Sequence, residues 1–191
     1  EAAAEGAVGH EADAQLADDV EDPVLRVPRP EGVLGLEGGD RVLSLAAHIG
    51  KAEDVDRLFD QTMERFGRID ALVNNVGMNL ITGVVDAEPA LFSKIVESNL
   101  TGTWLCSRKA AQLMREQKAG KIVSITSIAA RRAAPFMGIY GIAKAAIEMM
   151  TKTLAQELAP VRVNVVSPGL IDTEMHAPLP QEAREGLYAF V

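Results

Sequence analysis

The chain has 191 residues, 48% of them apolar and 24% charged, a composition that suits one globular domain with a sizeable core and excludes a disordered polymer. Against 19 Lys and Arg stand 27 Asp and Glu, a formal charge of −8, and no basic cluster offsets that balance, so a surface that tracks nucleic-acid phosphates is excluded. A single cysteine, Cys106, rules out an internal disulfide, and no apolar run is long enough to span a bilayer; a reducing, cytoplasmic setting without membrane contact is expected.

Residues 1–36 form an atypical N-terminal segment, in which acids, prolines and glycines mix without a sustained period, and no element is assigned there. From about Gly38, in the 37–191 domain, short β-branched runs alternate with stretches of helical period, the pattern of βαβ units and a parallel sheet. Residues 41–47 read as a strand. A helix over 51–66 follows, with Val55, Leu58, Phe59, Met63 and Phe66 at helical spacing and Gly67 as its stop. Asp70–Val73 is a buried strand, and Asp86 is the expected cap of a helix with Pro89 in its first turn, whose apolar positions recur from Leu91 to about Met114. The strand Lys121–Ile125, a helix over 139–158 and a strand over 161–166 complete the alternation.

In an open parallel sheet the ligand crevice lies beyond the C-terminal ends of the strands. Three consecutive strands here end in small or amide residues: Asn74-Asn75-Val76-Gly77, Thr126-Ser127, and Ser167-Pro168-Gly169 followed by Thr173. Turn chemistry explains any one of these; all three together favour a site. Tyr140 and Lys144, at i and i+4, share one helix face. An ammonium beside a phenol favours the phenolate and lowers its pKa, and a hydroxyl at Ser127 can hold a substrate oxygen next to that phenol. Such a Tyr-x-x-x-Lys pair is weak by itself and gains force from the strand ends. The three histidines, His10, His48 and His176, are scattered, so no metal site is expected, and Cys106 in an apolar helix reads as a buried structural thiol.

These ordered motifs, together with Asn99 in Asn-Leu-Thr-Gly, resemble the short-chain dehydrogenase/reductase family from about Gly38 to at least Met175. The resemblance implies an α/β fold, a Rossmann-like doubly wound parallel sheet in three α/β/α layers. It further implies a ketone and secondary-alcohol oxidoreductase using NAD(H) or NADP(H), since no side chain supplies a hydride. Carried over position by position, Tyr140 exchanges the proton at the substrate oxygen, Ser127 orients that oxygen, and Lys144 lowers the Tyr140 pKa and binds the nicotinamide ribose. Asn99 holds a water in a proton relay. His48 and Ile49 lie where the family contacts the adenine, Asn75, Val76 and Gly77 lie along the cofactor, and Pro168, Gly169, Ile171 and Thr173 meet the nicotinamide end. Within the family the run from Asn164 to Met175 is similar to β-ketoacyl-acyl-carrier-protein reductases of fatty acid biosynthesis, which makes a carrier-linked carbonyl a candidate substrate and Arg131 and Arg132 candidate contacts for an acidic carrier. Helices 90–114 and 139–158 are those through which the family forms homodimers and homotetramers.

The family's Gly-rich phosphate loop finds no counterpart, and Glu1–Val8 resembles the tail of the helix that follows it. The expectation is therefore a fragment lacking the first strand with its loop, and also the last strand. The alternative function is a non-catalytic chain of the same core that binds no cofactor, for which the missing loop and His48 speak.

Overall fold

The computed structural model describes residues 42–80, 82–135 and 137–171. The 1–36 segment and Thr173 lie outside the described residues, and the expected lack of a first and a last strand concerns chain beyond them.

Helix α1, Ala52–Phe66, begins with Glu53 and Asp54 in its first turn, where carboxylates face the positive end of the helix dipole. It ends at Gly67, which adopts φ 73° and donates its N–H to the Met63 carbonyl, a left-handed cap that glycine takes without steric cost. Strand β1 is Ala71–Asn74. Helix α2, Pro89–Val96, has Pro89 in its first turn, where a missing N–H costs little. It passes through one π turn, Glu97–Thr101, directly into helix α3, Gly102–Gln117. Strand β2 is Lys121–Ile125; a short 3-10 turn, Ile128–Ala130, leads to helix α4, Gly138–Glu157, and then to strand β3, Arg162–Val166.

Among the described residues the strands form one parallel sheet in the order β1-β2-β3, with Ile122 opposite both Leu72 and Val163. Strands that follow one another in space and sequence need crossovers of one hand, which puts α3 and α4 on the same face of the sheet. That face carries the core: Val55 and Phe59 of α1, Leu105, Cys106, Ala110 and Met114 of α3, Ile122 of β2 and Val163 of β3 pack together. Burial pushes the Cys106 thiol up to about 11, which suits a packing role and not a nucleophile. Val73 and Val166, on the opposite face, are 61% and 50% exposed, so the described residues supply the sheet and one of the two helical layers. No helix among them is long and apolar enough to cross a membrane.

Two sequence expectations are corrected. Residues 42–47 form no strand: β-branched composition suits an extended chain, but a strand is defined by its ladder, and no neighbouring strand pairs with this segment among the described residues. Asp86 is not the helix cap either. The cap position of α2 is Glu88, without a side-chain hydrogen bond, because Pro89 sets the first turn one step before it and leaves Asp86 in the preceding turn.

Candidate active site

Parallel pairing in register, Asn74 with Ser124 and Ile125 with Val166, brings the three strand ends to one edge of the sheet. Asn74 faces inward there, its amide donating to Ser107 Oγ at 2.9 Å and Ser124 Oγ at 3.2 Å, so it ties β1 to β2 and α3. The next residue, Asn75, is exposed, and Val76 packs against the core. The alternation of a strand thus separates a structural amide from one open to a ligand.

Gly77 follows, and its missing side chain is what lets the site close. A Cβ there would stand 2.5 Å from Asn99 Oδ1 and 3.1 Å from Lys144 Nζ, so the three residues converge from β1, the π turn and α4. Asn99 is fully buried in the π turn, a widened helix geometry often associated with functional sites. Its amide donates to the carbonyls of Met78 at 2.7 Å and Ile95 at 2.9 Å, which fixes the orientation of the group. Its Oδ1 is buried with no hydrogen-bond partner among the described residues, an acceptor on the side of Gly77 and Lys144.

Lys144 is only 4% exposed. Its Nζ donates to the Ile125 carbonyl at 3.1 Å and lies 5.4 Å from the centre of the Tyr140 ring. Burial disfavours the ammonium and lowers its pKa to about 8, which leaves it mostly charged at neutral pH with donors to spare beyond Ile125. The Ser127 hydroxyl caps the 3-10 turn by accepting from the Ala129 N–H at 3.2 Å, and it lies near enough to the Tyr140 phenol to favour its ionised form. The expected lowering of the Tyr140 pKa is corrected: burial raises it, and the neighbouring Ser127 hydroxyl offsets only part of that rise. The physical reason is desolvation of the phenolate, with the nearby ammonium placed over the ring and turned to the Ile125 carbonyl.

Ser127, Tyr140, Lys144, Asn99 and Gly77 are thus brought together. The Pro168 carbonyl accepts from the Ile128 N–H at 2.9 Å, which sets the end of β3 beside the Ser127 turn, while Gly169 and Ile171 are exposed. His48 is buried, its backbone N–H bonded to Asp54 Oδ2 at 2.7 Å, and Ile49 packs where a Cβ on Gly102 would fall. Among the described residues no group of three His, Cys, Asp or Glu could hold a metal ion.

Sequence reasoning missed two residues. A Cβ on Gly141 would stand 2.8 Å from the Ala129 carbonyl oxygen, so glycine beside Tyr140 is what admits the Ser127 turn against α4. Glu148 is 7% exposed and binds three hydrogen-bond donors from two other segments: Arg131 Nε at 2.9 Å, Ser167 Oγ at 2.8 Å and Thr126 Oγ1 at 3.4 Å. Burial pushes its carboxyl up, but these bonds and the Arg131 charge outweigh that and hold it below the ordinary range. The signal was available, since a lone acid stands on the stripe of α4 that carries Ala143, Ile147 and Thr151. Arg131, an expected carrier contact, is committed to this carboxylate.

The Lys144 shift makes a pH prediction. Below about pH 8 folded and unfolded chains both keep the lysine proton; between about 8 and 10.5 the unfolded chain binds more of it, so stability rises with pH across that window. Above about pH 10 the raised Tyr140 phenol works in the opposite sense, because the folded chain then holds the extra proton. Urea unfolding from pH 8 to 10 should show the wild type gaining roughly 1 to 3 kcal/mol relative to Lys144→Met. Parallel pH profiles of the two proteins would contradict the buried ammonium.

Comparison with known proteins agrees with this arrangement. The family described as Enoyl-(Acyl carrier protein) reductase matches residues 33–189. A 3-oxoacyl-[acyl-carrier-protein] reductase of Synechocystis sp. is 38% identical over 142 residues, 73% of this chain and 58% of the relative. The (2S)-[(R)-hydroxy(phenyl)methyl]succinyl-CoA dehydrogenase subunit BbsD of Thauera aromatica is 41% identical over 151 residues, 78% of this chain and 60% of the relative. The solved structure of ElxO with NADP bound superposes with a TM-score of 0.66 at 33% identity, covering 72% of this chain and 56% of that one. The chain spans less than two thirds of the length of each of these relatives. With the parallel sheet, the Tyr140 and Lys144 pair and the residues 33–189 matched by the family, the chain belongs to the short-chain dehydrogenase/reductase family.

Proposed function

We propose that the chain carries the catalytic core of an NAD(P)-dependent oxidoreductase that interconverts a ketone and a secondary alcohol. The observation that carries this reading is the convergence of Ser127, Tyr140 and a buried lysine at the strand-end edge of the sheet. The cleft fits a nicotinamide cofactor. Lys144 retains donors for ribose hydroxyls, the buried Asn99 Oδ1 is an acceptor without a partner among the described residues, and Gly77 leaves room where a side chain would stand. Exposed Asn75 at the end of β1 and the Pro168 to Ile171 stretch after β3 flank that position. Hydride chemistry comes from bound NAD(H) or NADP(H), as in the ElxO structure with NADP bound.

The protein's own part is proton transfer and positioning. Ser127 and Tyr140 together hold the substrate oxygen; Tyr140 donates its phenol proton to that oxygen in reduction and takes it back in oxidation. Burial makes the Tyr140 phenol a weak proton donor when alone, and the Ser127 hydroxyl beside it offsets part of that. Asn99 Oδ1 offers an acceptor that would hold a water, and that water passes the proton onward. We assign the substrate class as a 3-oxoacyl thioester on a carrier, a reading supported by the named activity of the Synechocystis relative. In turnover of acetoacetyl-CoA with NADPH, Tyr140→Phe should lose about a hundredfold or more in rate while its circular dichroism is unchanged. Equal rates for the two proteins, or a folded wild type without turnover, would contradict the proposal.

The same reading includes a homodimer or homotetramer built on helices 90–114 and 139–158. It is supported by four large apolar side chains on those helices that stand open: Phe92, Trp104, Ile142 and Met149, the last 62% exposed. Light scattering should give the wild type a dimeric or larger mass and Ile142→Glu/Met149→Glu a monomeric one. A monomeric wild type would contradict this assembly.

A further inference from the structure

Glu148 is the one buried carboxylate that the proposed chemistry does not use among the described residues. It stands on α4 one turn beyond Lys144 and two beyond Tyr140, and its two oxygens have different partners. Oε1 receives the Ser167 hydroxyl from the end of β3 and, at longer range, the Thr126 hydroxyl from the end of β2. Oε2 receives Arg131 Nε from just beyond the 3-10 turn. Thr126 and Ser167 also bond each other through their hydroxyls at 2.7 Å, and the Thr126 N–H donates to the Val166 carbonyl at 2.8 Å.

Ser127 therefore lies inside a short loop both of whose ends, Thr126 and Arg131, are tied to one carboxylate on the helix that carries Tyr140. Between them the Ile128 N–H is bonded to the Pro168 carbonyl, so the same loop is seated on the β3 end that would meet the nicotinamide. An ionised acid at this depth costs desolvation and persists only where hydrogen bonds compensate it. A charge so placed is an orienting device, since it holds partners from two separate segments at once.

We propose that Glu148 is a positioning residue that clamps the Thr126–Arg131 segment to α4 and to the end of β3, holding the Ser127 hydroxyl against Tyr140. The inference rests on the reading of Ser127 and Tyr140 as the reacting pair. Removing the carboxylate charge frees Arg131 and both hydroxyls, the segment shifts, and the Ser127 hydroxyl moves away from the Tyr140 phenol. No substrate is needed to see this, because the Ser127 hydroxyl already acts on the phenol in the protein alone.

The test is the resonance of the phenol carbon in protein labelled with tyrosine enriched in 13C at Cζ, whose shift responds to hydrogen bonding of the hydroxyl. The chain holds two tyrosines, Tyr140 and Tyr188, and Tyr140→Phe assigns the signals. Ser127→Ala should move the Tyr140 signal, and Glu148→Gln should move it in the same direction and by a comparable amount with the far-ultraviolet dichroism retained. Ile122→Val, which loosens the core away from this network, should leave the signal in place, which separates positioning from general destabilisation. A shift in Ser127→Ala with none in Glu148→Gln would overturn the role of Glu148. No shift in Ser127→Ala would instead remove the Ser127 and Tyr140 pair on which the functional reading stands, and this inference with it. Should Glu148→Gln not fold, Arg131→Ala decides: Arg131 is largely exposed, so its removal opens one end of the clamp in a folded chain. A shift in the same direction supports the clamp, and an unchanged signal rejects it.

Discussion

A lysine ammonium inside a protein has to be surrounded by groups that replace its water, and the site in this chain is organised around that requirement. Lys144 reaches the sheet edge from α4 and finds the Ile125 carbonyl at the end of β2, the Tyr140 ring one turn away, and the side of the cleft formed by Gly77 and Asn99. Each of those partners comes from a different element. The sheet register, the π turn and the glycine after β1 must all be in place before the charge is accommodated. Burial in turn lowers the lysine pKa to about 8, still above neutrality, so the ammonium persists beside the Tyr140 ring.

The same economy of space recurs on the far side of Tyr140. Gly141 lets the Ala129 carbonyl approach α4, and Gly138 lets Val84 approach the same helix one turn earlier. The two glycines bring a loop from each neighbouring strand over the helix N-terminus, and Glu148 fastens the Ser127 loop from below through Arg131, Thr126 and Ser167. The packing around Tyr140 desolvates its phenol, and the Ser127 hydroxyl offsets part of the resulting rise in its pKa.

Much of this was legible in the sequence because it is periodic or local. The apolar spacing of Val55, Leu58, Phe59 and Met63 and the stop at Gly67 delimited α1 to within a residue, and the β-branched runs at 121–125 and 161–166 marked β2 and β3 closely. The pairing of Tyr140 with Lys144 followed from helical spacing, and the strand-end residues followed from the topology of a parallel sheet. What was not legible depends on distant partners. The 42–47 segment has strand composition but no ladder, Asp86 has the chemistry of a cap but the wrong offset from Pro89, and the direction of the Tyr140 shift depends on burial that spacing alone does not reveal. Glu148 belongs to the same class. Its neighbours on α4 advertise a buried face, but its partners at 126, 131 and 167 are distant in sequence and meet it only when β2, β3 and α4 are assembled.

The central claim is that Lys144, Asn99 and Gly77 form the floor of a nicotinamide site next to Tyr140. Titration of the protein with NADH and NADPH, following dihydronicotinamide fluorescence and quenching of Trp104, tests it most directly when wild type and Lys144→Ala are compared. The account predicts saturable enhancement in the wild type with at least one of the two nucleotides, and affinity weakened by about tenfold or more in Lys144→Ala, in line with the loss of charged hydrogen bonds to a ribose. A folded wild type that binds neither nucleotide, or a Lys144→Ala protein that binds as tightly as the wild type, would contradict it.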